Sequence, residues 1–288
     1  MDQPPRPFVG SEAIANGAMS KAALRRRYRS VFPDVYLPKD VVPTLAQRTI
    51  AGWLWSHREG VIAGAAAAAW HGTKWIDDDV LIELVWCNAR SPSGLRTTDA
   101  SLRSSEYEAL RGLRVTTAAR TAFDIGRRRP TGTAVAGLDA LAAATGVSPE
   151  DVLALARHHP GARGIRLLRD VLELVDAGAQ SPKETWLRLL LIDAGFPRPQ
   201  TQIPVPGPDG LPRYYLDMGW PDAMVAAEYD GEQHRRDRDI YRADIARSEY
   251  IASVGWRRIR VIAGDQRAGI VHRVRAAWNS PRLRRDPF

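Results

Sequence analysis

Hydrophobic positions recur at two different periods along this chain, and the changes of period outline its elements. Near the start, "GSEAIANGAMSKAALRRRYRS" holds two short helical runs separated by Gly17, with Ser11 and Ser20 at N-cap positions. An alternating "SVFPDVYLP" follows, carrying a Pro-Asp turn. From Thr44 to Glu59, "TLAQRTIAGWLWSHRE" has the helical period and stops at Gly60; "GAAAAAWHG" is a further helix, "DVLIELVWCN" a strand, and "RSPSG" at 90–94 a loop. Residues 116–178 are almost wholly helical, through "TTAARTAFDIGRRR", "AVAGLDALAAAT", "SPEDVLALARHHP" and "ARGIRLLRDVLELVDAG". Ser148-Pro149-Glu150-Asp151 is a complete helix start, with cap, proline at the first position and acids in the first turn. After "GAQ" the pattern changes again. "SPKETWLRLLLIDAG" is a helix with Leu187, Leu190, Leu191 and Ala194 on one side, and "TQIPV" and "RYYLDMGW" are strands around a Gly-Pro-Asp-Gly turn. "AMVAAEYD" is a third strand, the stretch up to "IASVG" contains a helix, and "WRRIRVI" is a last strand.

This order predicts an α/β (α+β) chain in three parts. Residues 1–60 read as a winged-helix-like DNA-binding module, because helix, turn, basic helix and hairpin follow one another. Residues 61–178 read as a mixed, then mainly helical, connector domain. Residues 179–288, in the order helix, β, β, β, helix, β, read as a mixed sheet flanked by helices. In the middle part the histidines have structural readings: His71 as a capping or core residue, His158 and His159 at a helix end whose dipole favours a cation. Cys87 reads as a packed core thiol.

Charge adds a partner class. Over 288 residues, 41 Lys+Arg against 33 Asp+Glu leave a formal net charge of +8. A polyanion is the expected partner, nucleic acid before membrane, because no basic amphipathic tail stands out. Lys21, Lys39, Lys74 and Lys183 are the only lysines. The remaining cations are arginines, whose planar fork grips phosphate bidentately, although high-GC codon usage produces the same bias. Arg25, Arg26 and Arg27, with Arg29, fall on or just after the second helix, either as a solvated basic face or as DNA contacts. One cysteine excludes an intramolecular disulfide and a multi-cysteine zinc site. The first residues lack the pattern of a signal peptide, and the longest weakly polar run, 61–70, is half a membrane span. A cytoplasmic protein without a membrane partner is the expectation.

The third strand of the last part concentrates carboxylates. At period two, Val225, Ala227 and Tyr229 face one way, and Met224, Ala226, Glu228 and Asp230 the other, so that Glu228 and Asp230 share a side about 7 Å apart. Asp217 ends the preceding strand, beyond a tight Trp-Pro-Asp-Ala turn, and a hairpin brings it to Glu228 or within a residue or two of it. Three carboxylates within one ion's reach suit a hard cation such as Mg²⁺; without a metal or an arginine partner they repel one another. Asp222 and Glu232 read as turn and helix-start residues.

The stretch "YYLDMGWPDAMVAAEYDGEQHRRDRDIYRADIARSEYIASVGWRRIRVI" resembles the very-short-patch-repair-like (Vsr-like) branch of the PD-(D/E)XK nuclease superfamily. It carries an Asp, a short turn, a strand ending Glu-x-Asp-Gly, a nearby His, an Asp…Arg helix and "GWRRIRV", while "SPKE" upstream matches the glutamate-bearing first helix. The likeness covers roughly residues 180–265 and implies a restriction-endonuclease-like mixed sheet flanked by helices. It also implies Asp217 as central metal ligand, Glu228 as second ligand and Glu184 at the metal or its water. Ser181-Pro-Lys-Glu184 is equally a capping box. The superfamily's lysine two positions after Glu228 is replaced by Asp230, a third ligand or simply the residue that forms the Asp-Gly turn. His234, as general base or proton donor, and Gln233, as water-positioner, are the candidates for that lysine's work. Arg235, Arg236 and Arg238 are placed to neutralise flanking phosphates, and Arg258 or Arg260 to reach the scissile group. The N-terminal part is similar to the winged-helix domain of AbiEi-type antitoxins, on "AIANGAMSKAALRRRYRSVFPDVYLP".

These readings imply a Mg²⁺- or Mn²⁺-dependent endonuclease hydrolysing DNA phosphodiesters, in repair or defence, with RNA as the other substrate. The alternative is a non-catalytic DNA-binding regulator of antitoxin type that keeps the nuclease fold as a scaffold.

Overall fold

The computed structural model describes residues 5–88, 90–231 and 238–280, with the side chains of 238–241 outside that description. It is a mixed α/β structure that divides into two compact units, Met1–Val175 and Asp176–Phe288. Among the described residues there are eleven α-helices and three sheets.

The first unit opens with β1 (Phe8–Val9), α1 (Gly10–Ala15), α2 (Lys21–Arg27), β2 (Tyr28–Phe32) and β3 (Val35–Pro38), the strands forming an antiparallel sheet in the order β1-β3-β2. Ser20 caps α2, its hydroxyl accepting from the Ala23 N–H at 3.1 Å. Ser11 does not cap α1. It lies inside the helix, and Asp34 of the β2–β3 turn takes its N–H at 2.9 Å. Then come α3 (Leu45–Trp55), β4 (Val61–Ala63), α4 (Gly64–Trp70), β5 (Ile82–Val85), β6 (Leu95–Thr98), β7 (Tyr107–Leu110) and β8 (Leu113–Thr116). The five strands β4 to β8 form a mixed sheet ordered β6-β5-β4-β8-β7. A single core runs from Phe32 and Val35 through Leu45, Ala51 and Leu54 of α3 to Ile62, Ile82, Leu84 and Val115. The segment 1–60 therefore shares its interior with the strands that follow, because α3 faces both sheets. β5 stops at Val85, so Cys87 lies past the strand and is exposed, a correction to its reading as a core thiol.

Four helices complete this unit: α5 (Ala118–Arg128), α6 (Thr131–Thr145), α7 (Pro149–Ala156) and α8 (Ile165–Leu174). Ser148 and Asp151 form the expected reciprocal cap on α7. Phe123, Leu138, Leu141, Leu168 and Val171 are buried among these helices. Beside them lies a buried ionic network: Arg120 bonds Glu106 and, at 2.8 Å, Asp124; Asp124 also holds Arg127 at 2.7 Å, and His159 Nε2 meets Glu106 at 2.6 Å. His71 Nε2 bonds the Thr116 carbonyl at 2.8 Å. Both histidines thus have structural partners.

The second unit comprises α9 (Pro182–Asp193), β9 (Gln200–Pro206), β10 (Pro212–Trp220), β11 (Val225–Asp230), α10 (Arg238–Ser253), β12 (Arg257–Ile262) and α11 (Arg267–Asn279). Its sheet is ordered β12-β11-β10-β9, with β11 and β12 parallel and the other pairs antiparallel. The alternation of β11 sorts its two faces. Val225 and Ala227 pack with Leu187, Leu190 and Leu191 of α9 and Ile270 and Val274 of α11. Ala226 packs with Ile203, Val205, Leu216, Ile251 and Trp256 on the opposite face. Leu187, Leu191 and Val261 are fully buried and contribute about 1.5–3 kcal/mol each. This sheet, covered on both sides, carries Asp217 and Glu228. None of the helices among the described residues is long and apolar enough to cross a membrane.

Candidate active site

β10 continues past Asp217 to Trp220, so Asp217 lies within the strand and does not end it. The turn is the short 3₁₀ segment Pro221–Ala223, closed by Met224 with φ at 52°. Gly219 permits the close approach of β10 to β11, since a Cβ there would meet the Val225 carbonyl oxygen at 2.4 Å. The ladder pairs Trp220 with Val225, Gly219 with Ala226 and Met218 with Ala227, and stops there. One step further, where Asp217 comes opposite Glu228, the side chain of Asp217 takes over: its Oδ2 accepts from the Tyr229 N–H at 3.1 Å.

Two irregularities accompany that break. Leu216 belongs to the core on the α10 side and Met218 to the core on the α9 side, although two residues in a regular strand share a face. The neighbouring β9 is irregular at the same level: Leu216 pairs with Ile203 and Met218 with Thr201, and Gln202 between them has φ at 48°. The local reversal carries Asp217 out of alternation.

Glu184, on the first turn of α9, is the third member. It is buried, its Oε2 accepting from the Gln180 N–H and its Oε1 from the Ser181 hydroxyl, both at 2.9 Å, while Ser181 Oγ accepts from the Glu184 N–H. This cap differs from the expected box: the Ser181 hydroxyl caps the Glu184 N–H, but the Glu184 side chain takes the Gln180 N–H instead of the Ser181 N–H. Capping does not exclude the other role, because the Glu184 charge also acts on Asp217. Burial, then the negative charges of Glu184 and Glu228, push the Asp217 carboxyl from its ordinary 3.8 up to about 7. Glu184 is raised as well, first by burial and, more weakly, by Glu228.

Glu228 is also buried, and two arginines hold it. Arg247 of α10 reaches its two oxygens at 2.7 and 3.2 Å, and Arg258 of β12 donates at 3.0 Å. Arg260, paired in register with Glu228, bridges Asp230 and Asp244. Asp230 is the last strand residue, aligned with Ile262, and its carboxylate is engaged by Arg260. Asp217 thus lies within the electrostatic influence of Glu184 and Glu228, and Asp230 is set aside with an arginine. Gln233, His234, Arg235 and Arg236 lie outside the described residues, and Arg238 opens α10 with its side chain outside them. Arg25, Arg26 and Arg27 are exposed on α2 in the first unit.

Sequence reasoning missed Arg247, whose partner lies nineteen residues earlier, and Gln180, whose side chain donates to Gln202 at 3.0 Å while its N–H serves Glu184. Only the Asp…Arg character of the helix pointed towards Arg247. Nothing in the pattern marked Gln202.

Oxygen donors whose carboxyls are raised by burial and mutual repulsion fit a hard cation in type and in charge, since a cation removes that repulsion. Among the described residues, however, no group of three or more His, Cys, Asp or Glu is arranged to hold an ion. The arginines on Glu228 meet the need for positive charge in its place.

No family model and no solved structure matches the chain significantly. It is similar to two curated proteins of Mycobacterium tuberculosis strains, "Uncharacterized protein MT2308" and "Uncharacterized protein Rv2248", each 31% identical over 157 residues. The match covers 54% of this chain and 57% of each relative, so the chain spans little more than half the length of the relatives it matches.

Proposed function

We propose that the Asp176–Phe288 unit is a metal-dependent endonuclease centre of the Vsr-like PD-(D/E)XK kind, acting on DNA, and that the first 60 residues are a winged-helix-like DNA-binding arm. The observation that carries this reading is the buried Asp217, bonded to the Tyr229 N–H at 3.1 Å and within the electrostatic influence of Glu184 and Glu228. Fixed local strain beside buried carboxylates is a cost that folds keep at functional positions. Mg²⁺ or Mn²⁺, when bound by Asp217 with Glu228 or Glu184, supplies Lewis-acid activation of water and stabilisation of the phosphoryl oxygens. The chain's own part is to hold Asp217 in place through Tyr229 and Glu184 through Ser181 and Gln180, while Arg258 and Arg260 stay paired with Glu228, Asp230 and Asp244 until a phosphate displaces them. His234 is the proposed proton carrier.

The alternative, a DNA-binding regulator of antitoxin type, is favoured by one observation: both Glu228 oxygens accept from arginines. Cleavage of labelled single-stranded, duplex and mismatched DNA, with RNA alongside, tests the two. Mn²⁺- or Mg²⁺-dependent cutting that Asp217→Ala abolishes establishes the nuclease. DNA binding equal in both proteins, with no cutting by either, establishes the regulator.

A further inference from the structure

The first two turns of α9 send two more side chains to β11. Lys183 Nζ lies 5.8 Å from the centre of the Tyr229 ring, and the Trp186 indole meets the same ring edge-on, with centroids 6.3 Å apart and planes at 88°. Trp186 is 43% exposed, although Leu187 and Leu190 beside it on the helix are buried. Glu184 lies between Lys183 and Trp186 in sequence and acts on Asp217, and the Tyr229 N–H is the group bonded to Asp217. The Tyr229 side chain lies on the α9 face of β11, opposite the α10 face on which Arg247 holds Glu228, so the aromatic pair and its ammonium form a feature of the α9 side of the sheet.

An exposed indole propped by a second ring, with a cation beside it, suits a flat anionic ligand. An unpaired nucleotide is both. In a duplex the base faces are covered by their neighbours, whereas a single strand leaves them open to stacking on aromatic side chains. We propose that Lys183, Trp186 and Tyr229 form a stacking platform for one unpaired base of a single-stranded nucleic acid, with Lys183 on the adjoining phosphate. The chain's net charge of +8 favours such a polyanion over an apolar protein segment. The proposal rests on the reading of this unit as one that handles nucleic acid, and it names the strand state that the unit prefers.

The test is fluorescence anisotropy of the full chain with labelled oligo(dT), oligo(U) and a duplex of equal length, in EDTA so that no cutting intervenes. Trp186→Ala is expected to weaken binding of at least one single strand about tenfold and to change duplex affinity by less than about twofold, whereas Trp186→Phe retains most of the affinity. Lys183→Ala is expected to weaken single-strand binding and to reduce its salt dependence by about one phosphate contact. The dT and U arms tell DNA from RNA. Unchanged single-strand binding in Trp186→Ala, or an equal loss on duplex, overturns the platform. If wild type binds duplex but no single strand, the platform falls while the nuclease reading stands. If it binds single strands through Trp186 and then cuts nothing with Mn²⁺, the nuclease reading falls and the platform stands.

Discussion

The Asp217 carboxylate accepts the Tyr229 backbone N–H at 3.1 Å, one step beyond the last paired residues of β10 and β11. A side chain thus replaces a rung of the ladder. That bond favours the ionised carboxylate, yet burial and the charges of Glu184 and Glu228 outweigh it.

Stability is expected to carry the signature of that balance. Because the folded carboxyl titrates at about 7 and the unfolded one near 3.8, the folded state holds a proton that the unfolded state has already lost. The contribution is full below the unfolded value and is lost as pH rises through about 7. Asp217→Asn removes this titration, so thermal melting is expected to show the variant gaining on wild type between pH 4 and pH 8.

Divalent cations provide a second readout. If Asp217 is a ligand, Mn²⁺ at pH 8 raises the melting temperature of wild type and leaves Asp217→Asn unmoved, and chelation by EDTA reverses the gain. An equal shift in both proteins would place the ion elsewhere.

Removing Glu228 takes from Arg258, whose side chain is 8% exposed, its nearer carboxylate at 3.0 Å and leaves it Asp244 at 4.0 Å. Glu228→Ala is expected to cost about 3–5 kcal/mol, measured as a lower urea midpoint. A change within experimental error would mean that the arginines find other acceptors.

A comparable test applies to the first unit. Arg120 lies between Glu106 and Asp124 with all three side chains nearly inaccessible. Arg120→Met is expected to destabilise by about 1–3 kcal/mol, because Glu106 keeps His159 and Asp124 keeps Arg127 while each loses one buried donor, and simultaneous replacement of Glu106 and Asp124 by Gln and Asn is expected to recover part of that loss.

Gly219→Ala tests the hairpin itself. The added methyl would meet backbone of β11, which cannot swing aside as a side chain can. A loss of about 1–3 kcal/mol is expected, read by urea denaturation.

Much of this arrangement was legible in the sequence because strand periodicity is local. The two faces of β11 follow from "VAAEYD" alone, and the Trp-Pro-Asp-Ala turn is enough to bring Asp217 opposite Glu228. The rest depends on contacts distant in sequence. Asp217 read as the end of its strand because of the tight turn that follows, whereas the strand runs on to Trp220 and its irregularity coincides with Gln202 at φ 48° on the neighbouring strand. Arg247 meets Glu228 only once α10 has crossed the sheet. In the same way, Ser11 had the chemistry of a cap, and Asp34 from the hairpin took its place.

The arginines on Glu228 have a consequence for how ligands enter. A cation arriving alone must compete with Arg247 and Arg258 for the same oxygens, and a phosphate arriving alone must draw those guanidiniums away from buried acid. Arriving together, the two ligands exchange partners without leaving either charge uncovered. Metal and polyanion are therefore expected to bind with positive coupling, each tightening the other by the same factor. Under the proposed function, the ion pairs would act as an interlock that keeps the Glu228 oxygens occupied until both ligands are present.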